Sequence, residues 1–263
     1  MQNPPDVATI LMDFASVSDG ADLVSDIIAA GIVPAAVEMM DQLCLIAVEA
    51  FIHAGLPVEQ AAALLIEVVG PPAGVAADVA LISELATARN VGGVRIAADE
   101  AERALLWKGR KSAFGAIANI KPDYYLHDTV VPRNKLSGVL DQIYAIVEEH
   151  DLQVLNVFHA GDGNLHPLLV FDGKEPGIYE RVHAAGRAIV KASVDAGGVL
   201  SGEHGIGLEK RDLMPLMFSE IDLAAQADLR RAFDPQMLSN PDKVLPSPAT
   251  CGEVHRAPEG AWI

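Results

Sequence analysis

Hydrophobic and polar positions along the first part of the chain follow two alternating rhythms. Strand-like alternation or a short β-rich run occupies residues 7–16, 34–40, 62–69 and 93–98. Apolar spacing of about three to four residues, typical of helices, occupies residues 21–30, 42–53 and 76–89. This pattern predicts the order βαββαβ, with residues 42–53 as an extra helix between the second and third strands.

The second part of the chain repeats this order after a linking helix predicted over residues 99–117. Pro132 marks the start of the next helix, because proline fits the first helical turn. The predicted strands are 124–131, 153–159, 165–171 and 198–204, and the predicted helices are 133–150 and 176–196. Two further helices, 209–217 and 220–233, follow the repeat.

Two βαββαβ units predict an α+β fold of duplicated ferredoxin-like units, with antiparallel sheets covered by helices and additional C-terminal helices. The predicted division is 1–120, 121–245 and an irregular, proline-containing tail at 246–263. A parallel Rossmann sheet is the competing interpretation. An Asp162-Gly163 hairpin signal argues against it, because such a turn joins antiparallel strands.

The candidate chemistry lies around this predicted hairpin. If Asp162-Gly163 forms a two-residue type I′ turn, His159 faces His166 across the two strands. Directly opposed side chains have Cβ atoms about 4.5–5.5 Å apart, which lets two imidazoles share one metal ion. Spacing alone leaves a second interpretation open, in which both histidines are ordinary surface or hydrogen-bonded residues.

A glycine-rich segment at residues 201–207 (Ser-Gly-Glu-His-Gly-Ile-Gly) adds two candidate groups. Glu203 could supply a carboxylate ligand and His204 a proton acceptor. Two histidines and one carboxylate leave coordination positions open, which is typical of a catalytic Zn²⁺ or Mn²⁺ site. Because neighbouring residues of a flat strand point to opposite faces, the backbone must bend if both groups serve one site.

Composition restricts the function classes. The formal net charge of −17 argues against nucleic-acid partners and against binding to an anionic membrane surface. Two cysteines without a Cys-x-x-Cys spacing predict a reducing, cytoplasmic compartment. No signal-peptide pattern and no apolar run of about 18 residues is present, so no transmembrane segment is expected.

Several motifs together resemble a known family. These are residues 159–166 (His-Ala-Gly-Asp-Gly-Asn-Leu-His), the segment 201–207, and Phe-Asp-Pro at 233–235 with Asn-Pro-Asp-Lys at 240–243. Residues 38–41, 110–114 and 122–125 add to the likeness. The chain thus resembles the C-terminal, or cap, part of FAD-linked 2-hydroxyacid dehydrogenases of the vanillyl-alcohol oxidase type, and is most similar to the FAD-binding subunits of glycolate oxidases.

The resemblance implies a cap domain built from a duplicated ferredoxin-like unit. It also implies FAD, held mostly by an N-terminal domain that this chain is expected to lack, since no Gly-x-Gly-x-x-Gly segment opens a helix. Further oxidase subunits, including an electron acceptor, would be partners, and these could bring the protein to the inner membrane. Without the flavin domain, we expect the chain to bind flavin weakly and to be inactive by itself.

The implied reaction removes a hydride and a proton from a 2-hydroxy acid. A metal ion on His159, His166 and Glu203 would polarise the substrate hydroxyl, and His204 would take its proton. The resemblance assigns Arg110 to the substrate carboxylate and Asn240 to the flavin. Two alternatives stay open for these last residues: Arg110 could lie on a solvated basic helix face, and Asn240 could simply begin a turn.

One departure concerns substrate choice. Relatives acting on 2-hydroxyglutarate carry Asn and Lys where this chain has Leu168 and Leu126. Fewer polar groups suit a small 2-hydroxy acid, with glycolate the first choice and D-lactate the second. Two other classes of function remain: a non-catalytic assembly or regulatory module, and a small metallohydrolase that uses the His-His-Glu set.

Overall fold

The computed structural model describes residues 6–246, so the predicted tail at 246–263 lies outside the described residues except for Pro246. The chain divides after Val199 into two compact units. The first unit contains all the named strands of the described residues. Its strands are β1 Asp6–Phe14, β2 Ala36–Asp41, β3 Ala62–Gly70, β4 Val91–Ile96, β5 Asp123–Leu126, β6 Thr129–Val130, β7 Gln153–His159, β8 Asn164–Leu165 and β9 Pro167–Phe171.

Seven α-helices accompany these strands in the described part of the first unit. They are α1 Val17–Ala29, α2 Gln42–Ile52, α3 Pro72–Ala88, α4 Glu100–Lys111, α5 Ala113–Ala116, α6 Leu136–Glu149 and α7 Ile178–Asp195. Three short 3-10 helices lie at Ile117–Asn119, Arg133–Lys135 and Ala160–Asp162. The second unit contributes a 3-10 helix at Arg211–Leu216 and helix α8, Glu220–Phe233.

The sheet topology confirms the duplicated ferredoxin-like fold. Every strand pair is antiparallel, and the first half has the order β4-β1-β3-β2. In the second half β7 pairs with β8 and β9, which pair with β6 and β5, so the order β1-β3-β2 recurs, with the equivalents of β1 and β3 each broken in two. The equivalent of β4 is reduced to an isolated bridge between Val130 and Val199. Strand β2 pairs with β7 and joins the two halves into one sheet.

Hydrophobic side chains cover both faces of the sheet, as the period of two along each strand requires. One buried cluster includes Phe14, Met39 and Phe158 and packs against α1, α3, α6 and α7. The other includes Met40 and Val157 and packs against α2, α4 and α5. At the β2–β7 junction the sheet is therefore buried on both faces, and any polar side chain there needs a partner.

The predicted strand at 198–204 is wrong. Val199 makes only an isolated bridge to Val130, and residues 202–204 form bends. Gly198 donates its backbone N–H to the Ser193 carbonyl at the end of α7, at 2.9 Å. Helix α7 therefore ends in a turn at Gly197, whose φ of +87° is easily adopted by glycine. Only Val199 pairs with the sheet before the chain turns away from it.

Other boundaries differ for local reasons. The predicted linking helix 99–117 is interrupted at Ser112, between α4 and α5. The predicted strand 124–131 is interrupted at His127 and Asp128. The helix predicted over residues 209–217 is not an α-helix but contains a 3-10 helix, Arg211–Leu216. Pro215 lies inside it, and proline disfavours an α-helix because it has no N–H for the hydrogen bond.

A buried polar cluster holds the junction of the two halves on the α6 side. Asp41 Oδ2 accepts hydrogen bonds from the Asn156 backbone N at 2.7 Å, from Asn156 Nδ2 at 3.1 Å and from the Tyr144 hydroxyl at 3.2 Å. Asp41 Oδ1 also caps helix α2 by accepting from Cys44 N at 3.0 Å. Burial raises the pKa of Asp41 to about 6, although these hydrogen bonds oppose the rise.

We expect this carboxyl to make the protein less stable as the pH rises from 4 to 6. The pKa of Asp41 in the folded state, about 6, exceeds the ordinary value of 3.8, so the unfolded state loses its proton first. Each pKa unit corresponds to about 1.36 kcal/mol, which limits the effect to roughly 3 kcal/mol. Urea unfolding of the wild type and of Asp41→Asn across this range measures it.

The Asn variant serves as the reference because its side chain does not titrate in this range. The substitution itself lowers the stability by an amount that does not depend on pH, because the side-chain NH2 group of the new asparagine can face hydrogen-bond donors. The free energy of unfolding of the wild type minus that of the variant should fall between pH 4 and 6 and stay level above pH 7. A difference that is constant with pH would contradict the elevated pKa of Asp41.

Candidate metal and substrate site

The hairpin at Asp162-Gly163 exists, but its predicted register is wrong. Strand β7 ends at His159, a 3-10 turn covers Ala160–Asp162, and Gly163 adopts φ +70° before β8 begins. His159 pairs with Asn164, not with His166. The loop is longer than a two-residue turn because Gly163 N closes a hydrogen bond to Ala160 O at 3.2 Å.

The two histidines nevertheless lie together. A displacement of the register by two residues, from His166 to Asn164, leaves each side chain on its original face, since faces alternate with a period of two. The imidazole rings of His159 and His166 have centroids 5.3 Å apart and an interplanar angle of 80°. One nitrogen of each ring lies within 4.8 Å of the other, so a single ion could contact both.

Glu38 links this histidine pair to Arg110. On the opposite strand of the β2–β7 junction, Glu38 pairs directly with His159, and its Oε1 lies 2.8 Å from His159 Nδ1. Arg110 in the last turn of α4 donates to Glu38 Oε2 from Nε at 2.9 Å and approaches it with Nη2 at 2.8 Å. Sequence reasoning missed Glu38, although a single acid between Val37 and Met39 in an apolar strand is a signal.

Arg110 does not lie on a solvated basic face. It is only 7% exposed, and Glu38 is equally exposed at 7%. Burial by itself would raise the pKa of Glu38, but the His159 hydrogen bond and the Arg110 charge outweigh it, and the pKa lies below its ordinary value. Glu38 is therefore an anionic group at neutral pH, held between a guanidinium and an imidazole.

His166 has an acidic neighbour of its own, Asp128. Its Nε2 lies 3.7 Å from Asp128 Oδ1, and both side chains are almost fully buried. Asp128 lies in the interruption between β5 and β6, and the next residue, Thr129, shares a 3.0 Å hydrogen bond with Ser193 of α7. The break in the predicted strand thus places an acid beside His166.

The second unit contains the other predicted residues. Glu203 and His204 lie in the bend, not in a strand, and their side chains approach to 3.5 Å between Oε1 and Nε2. The backbone is therefore bent at these residues, as a site shared by both groups would require. Ser201 Oγ accepts a hydrogen bond from Gly205 N at 2.8 Å and closes this bend.

Asn240 is exposed and has a left-handed backbone conformation with φ +46°. Its carbonyl accepts a hydrogen bond from Arg230 of α8 at 2.8 Å. Asparagine tolerates this conformation better than most residues, so the turn by itself explains why an asparagine stands here. The role of Asn240 toward a flavin stays a prediction.

The glycine-rich stretch at residues 70–74 does not form a phosphate cradle. Helix α3 begins at Pro72 after Pro71, and neither proline has a backbone N–H to offer an anion. The stretch from Gly202 to Gly207 forms no helix N-terminus either. Neither segment fits the pyrophosphate of FAD. Within residues 6–246, no helix is both long and apolar enough to span a bilayer.

Relatives of this chain include glycolate oxidase subunits and a D-lactate dehydrogenase. The glycolate oxidase subunit GlcD of Escherichia coli K12 is 44% identical over 96% of the chain and 51% of its own length. GlcD of Bacillus subtilis is 35% identical over 92% of the chain and 52% of its own length. The mitochondrial D-lactate dehydrogenase (cytochrome) of Kluyveromyces lactis is 27% identical over 89% of the chain and 42% of its own length. The chain therefore spans about half the length of the curated relatives it matches.

Solved structures share the fold. p-Cresol methylhydroxylase with substrate bound aligns with a TM-score of 0.68 at 13% identity, over 89% of this chain and 52% of that one. The 4-ethylphenol oxidase from Gulosibacter chungangensis aligns with a TM-score of 0.67 at 14% identity, over 93% and 55%. Residues 3–244 match the family described as FAD linked oxidases, C-terminal domain. The chain belongs to this family of FAD-linked oxidase C-terminal domains.

Proposed function

We propose that this chain is the metal- and substrate-binding part of a flavin-dependent oxidoreductase that converts a small 2-hydroxy acid to the 2-oxo acid. The observation that carries the proposal is the pair His159 and His166, with rings 5.3 Å apart, in a chain of the FAD-linked oxidase family. Glycolate is the first-choice substrate and D-lactate the second, because the relatives include glycolate oxidase subunits and D-lactate dehydrogenases.

The side chains present fit a divalent metal ion. His159 Nδ1 is engaged by Glu38, so Nε2 is the ring nitrogen that would coordinate the ion, and His166 would supply a second imidazole. Imidazole and carboxylate suit Zn²⁺ or Mn²⁺. We assign Glu203 as the third ligand on the chemistry of the set, in which one carboxylate joins two histidines. The metal, when bound, would act as a Lewis acid on the substrate hydroxyl.

The remaining steps belong to protein side chains. His204 takes the hydroxyl proton, because histidine is the side chain that most often acts as a general base. Arg110 binds the substrate carboxylate. Its guanidinium has five N–H groups, and the pair with Glu38 occupies the edge formed by Nε and Nη2, so part of the fork remains for a second carboxylate. Asn240 contacts the flavin. FAD, when bound by the other half of the enzyme, would supply the hydride acceptor.

Two leucines support a small or less polar substrate. Leu126 and Leu168 are directly paired between β5 and β9. Leu168 follows His166 by two positions, which puts the leucine pair on the His166 face of the sheet. A second carboxylate, as in 2-hydroxyglutarate, would meet apolar side chains there and would remain without a partner.

We also propose that the FAD-binding half and further oxidase subunits, including an electron acceptor, are partners in the cytoplasm, with attachment to the inner membrane through those subunits. Helix α8 favours such a partner. Its apolar residues Ile221, Leu229 and Phe233 recur at helical spacing and are 81%, 62% and 85% exposed. This exposed stripe also favours the second candidate function, a non-catalytic assembly module.

The metal site is tested by titrating the chelator-treated chain with Zn²⁺ or Mn²⁺ in a calorimeter. We expect one equivalent to bind the wild type, and His166→Ala to weaken binding by at least about 100-fold because one of few ligands is lost. His150→Ala is the control, since His150 caps helix α6 before β7 begins, at the opposite end of that strand from His159. Equal binding by wild type and His166→Ala would contradict the site.

A further inference from the structure

We propose that Glu38 is a positioning residue, which holds His159 in the tautomer that presents Nε2 to the metal, and that Arg110 in turn fixes Glu38. The proposal rests on the proposed metal site. It adds a role for a carboxylate that is not itself a ligand, and it gives Arg110 a structural task besides substrate binding. A carboxylate behind a metal-bound histidine orients the ring and raises its basicity.

The sheet register provides the first step of the argument. Glu38 and His159 are directly opposite each other where β2 of the first half pairs with β7 of the second. Directly opposed residues of neighbouring strands share a face and lie within contact distance. The observed 2.8 Å separation of Oε1 and Nδ1 follows from this backbone pairing, so the contact does not depend on a flexible loop.

The chemistry of imidazole provides the second step. A neutral histidine has one N–H donor and one nitrogen acceptor. An ionised carboxylate only accepts, so the Glu38 partner places the proton of His159 on Nδ1. Nε2 then has the lone pair that a metal requires.

The burial of the Glu38–Arg110 pair provides the third step. The side chains of Glu38 and Arg110 are 9% and 8% exposed, and Nε and Nη2 of Arg110 approach the same oxygen, Oε2. The other oxygen, Oε1, is thereby left to His159. A buried charge without its partner is strongly destabilising, which makes Arg110 the group that allows an anion at position 38.

The same helix supplies a matched control. Arg103 of α4 pairs with Glu67 of β3 through Nε at 2.9 Å and Nη2 at 3.1 Å. Glu67 also accepts from Thr9 and Trp107. Glu67→Gln therefore disturbs an arginine–carboxylate pair between α4 and the sheet, as Glu38→Gln does, but the altered residue pairs with no histidine in the described contacts.

The experiment combines two measurements on the full chain. Nitrogen-15 NMR of the metal-free wild type should show His159 with its proton on Nδ1, and Glu38→Gln should reduce the population of that tautomer. Zn²⁺ titration should give an affinity roughly 10–100-fold lower for Glu38→Gln than for the wild type. Glu67→Gln should bind Zn²⁺ with the wild-type affinity.

Each contrary outcome has a definite meaning. A wild-type His159 protonated on Nε2 overturns the proposal, and this measurement decides even if Glu38→Gln does not fold. Wild-type Zn²⁺ affinity in a folded Glu38→Gln variant overturns the role of Glu38 alone. An equal loss of affinity in Glu67→Gln overturns it as well, because the effect would then come from loosening α4. A wild-type chain that binds no Zn²⁺ removes the metal site, and this proposal with it.

Discussion

His204→Ala, in an enzyme assembled with its FAD-binding half, should slow flavin reduction by a 2-hydroxy acid by about 10²–10⁴-fold. The reason is that proton removal from the hydroxyl is part of the transition state, and a positioned base contributes on this order. Stopped-flow bleaching of the flavin at saturating substrate measures the step. Binding of substrate should change much less, because His204 is not assigned to the carboxylate.

The metal content of the variant separates two roles of the Glu203–His204 bend. Their side chains lie 3.5 Å apart, so either could be the ligand and the other the base. We expect His204→Ala to keep its metal. Loss of the metal would assign His204 to the ligands and would make the assignment of Glu203 wrong. A wild-type rate of flavin reduction would show that another group takes the proton.

Gly163→Ala should lower the free energy of unfolding by about 2–4 kcal/mol. Gly163 has φ +70°, a conformation that costs an L-residue roughly 1–2 kcal/mol. A Cβ atom there would also lie inside the contact radius of the Val131 carbonyl oxygen. Because this oxygen belongs to backbone, and Val131 N donates to Gly163 O at 2.9 Å, relief requires the β6–β8 pairing to move.

Gly31→Ala is the control that separates the cost of the positive φ from the cost of the steric clash with Val131. Gly31 has φ +84°, and no atom lies within 4 Å of the place that the alanine methyl group would take, so only the conformational cost of about 1–2 kcal/mol applies. Urea unfolding of both variants gives the comparison. A loss in Gly163→Ala no larger than that in Gly31→Ala would mean that the turn after His159 adapts easily.

Most of the fold was predictable from the sequence, because the spacing of apolar residues indicates which side of each helix or strand is buried. Residues 220–233 were predicted as a helix and form α8 with these bounds, since Ser219 and Asp222 make reciprocal capping hydrogen bonds. The strand predicted at 198–204 failed because its apolar residues end after one bridge and glycines follow.

Part of the candidate site was also predictable, because local patterns in a strand determine which face a side chain occupies. The closeness of His159 and His166 survived an error in register, because a shift by two residues preserves the face. Glu38 was missed because its partner is set by the order of strands in the sheet. No local signal in residues 36–41 tells that β2 will pair with β7, and only that pairing brings the acid to His159.

The β2–β7 junction has a consequence for folding kinetics. Glu38 and His159 are separated by 121 positions in the chain, so their contact closes a long loop and raises the contact order. Each half can form its own hairpin before this closure. We expect the contact between Glu38 and His159 to appear only once both halves have paired. Metal uptake during refolding should then mark the last long-range step and follow the return of secondary structure.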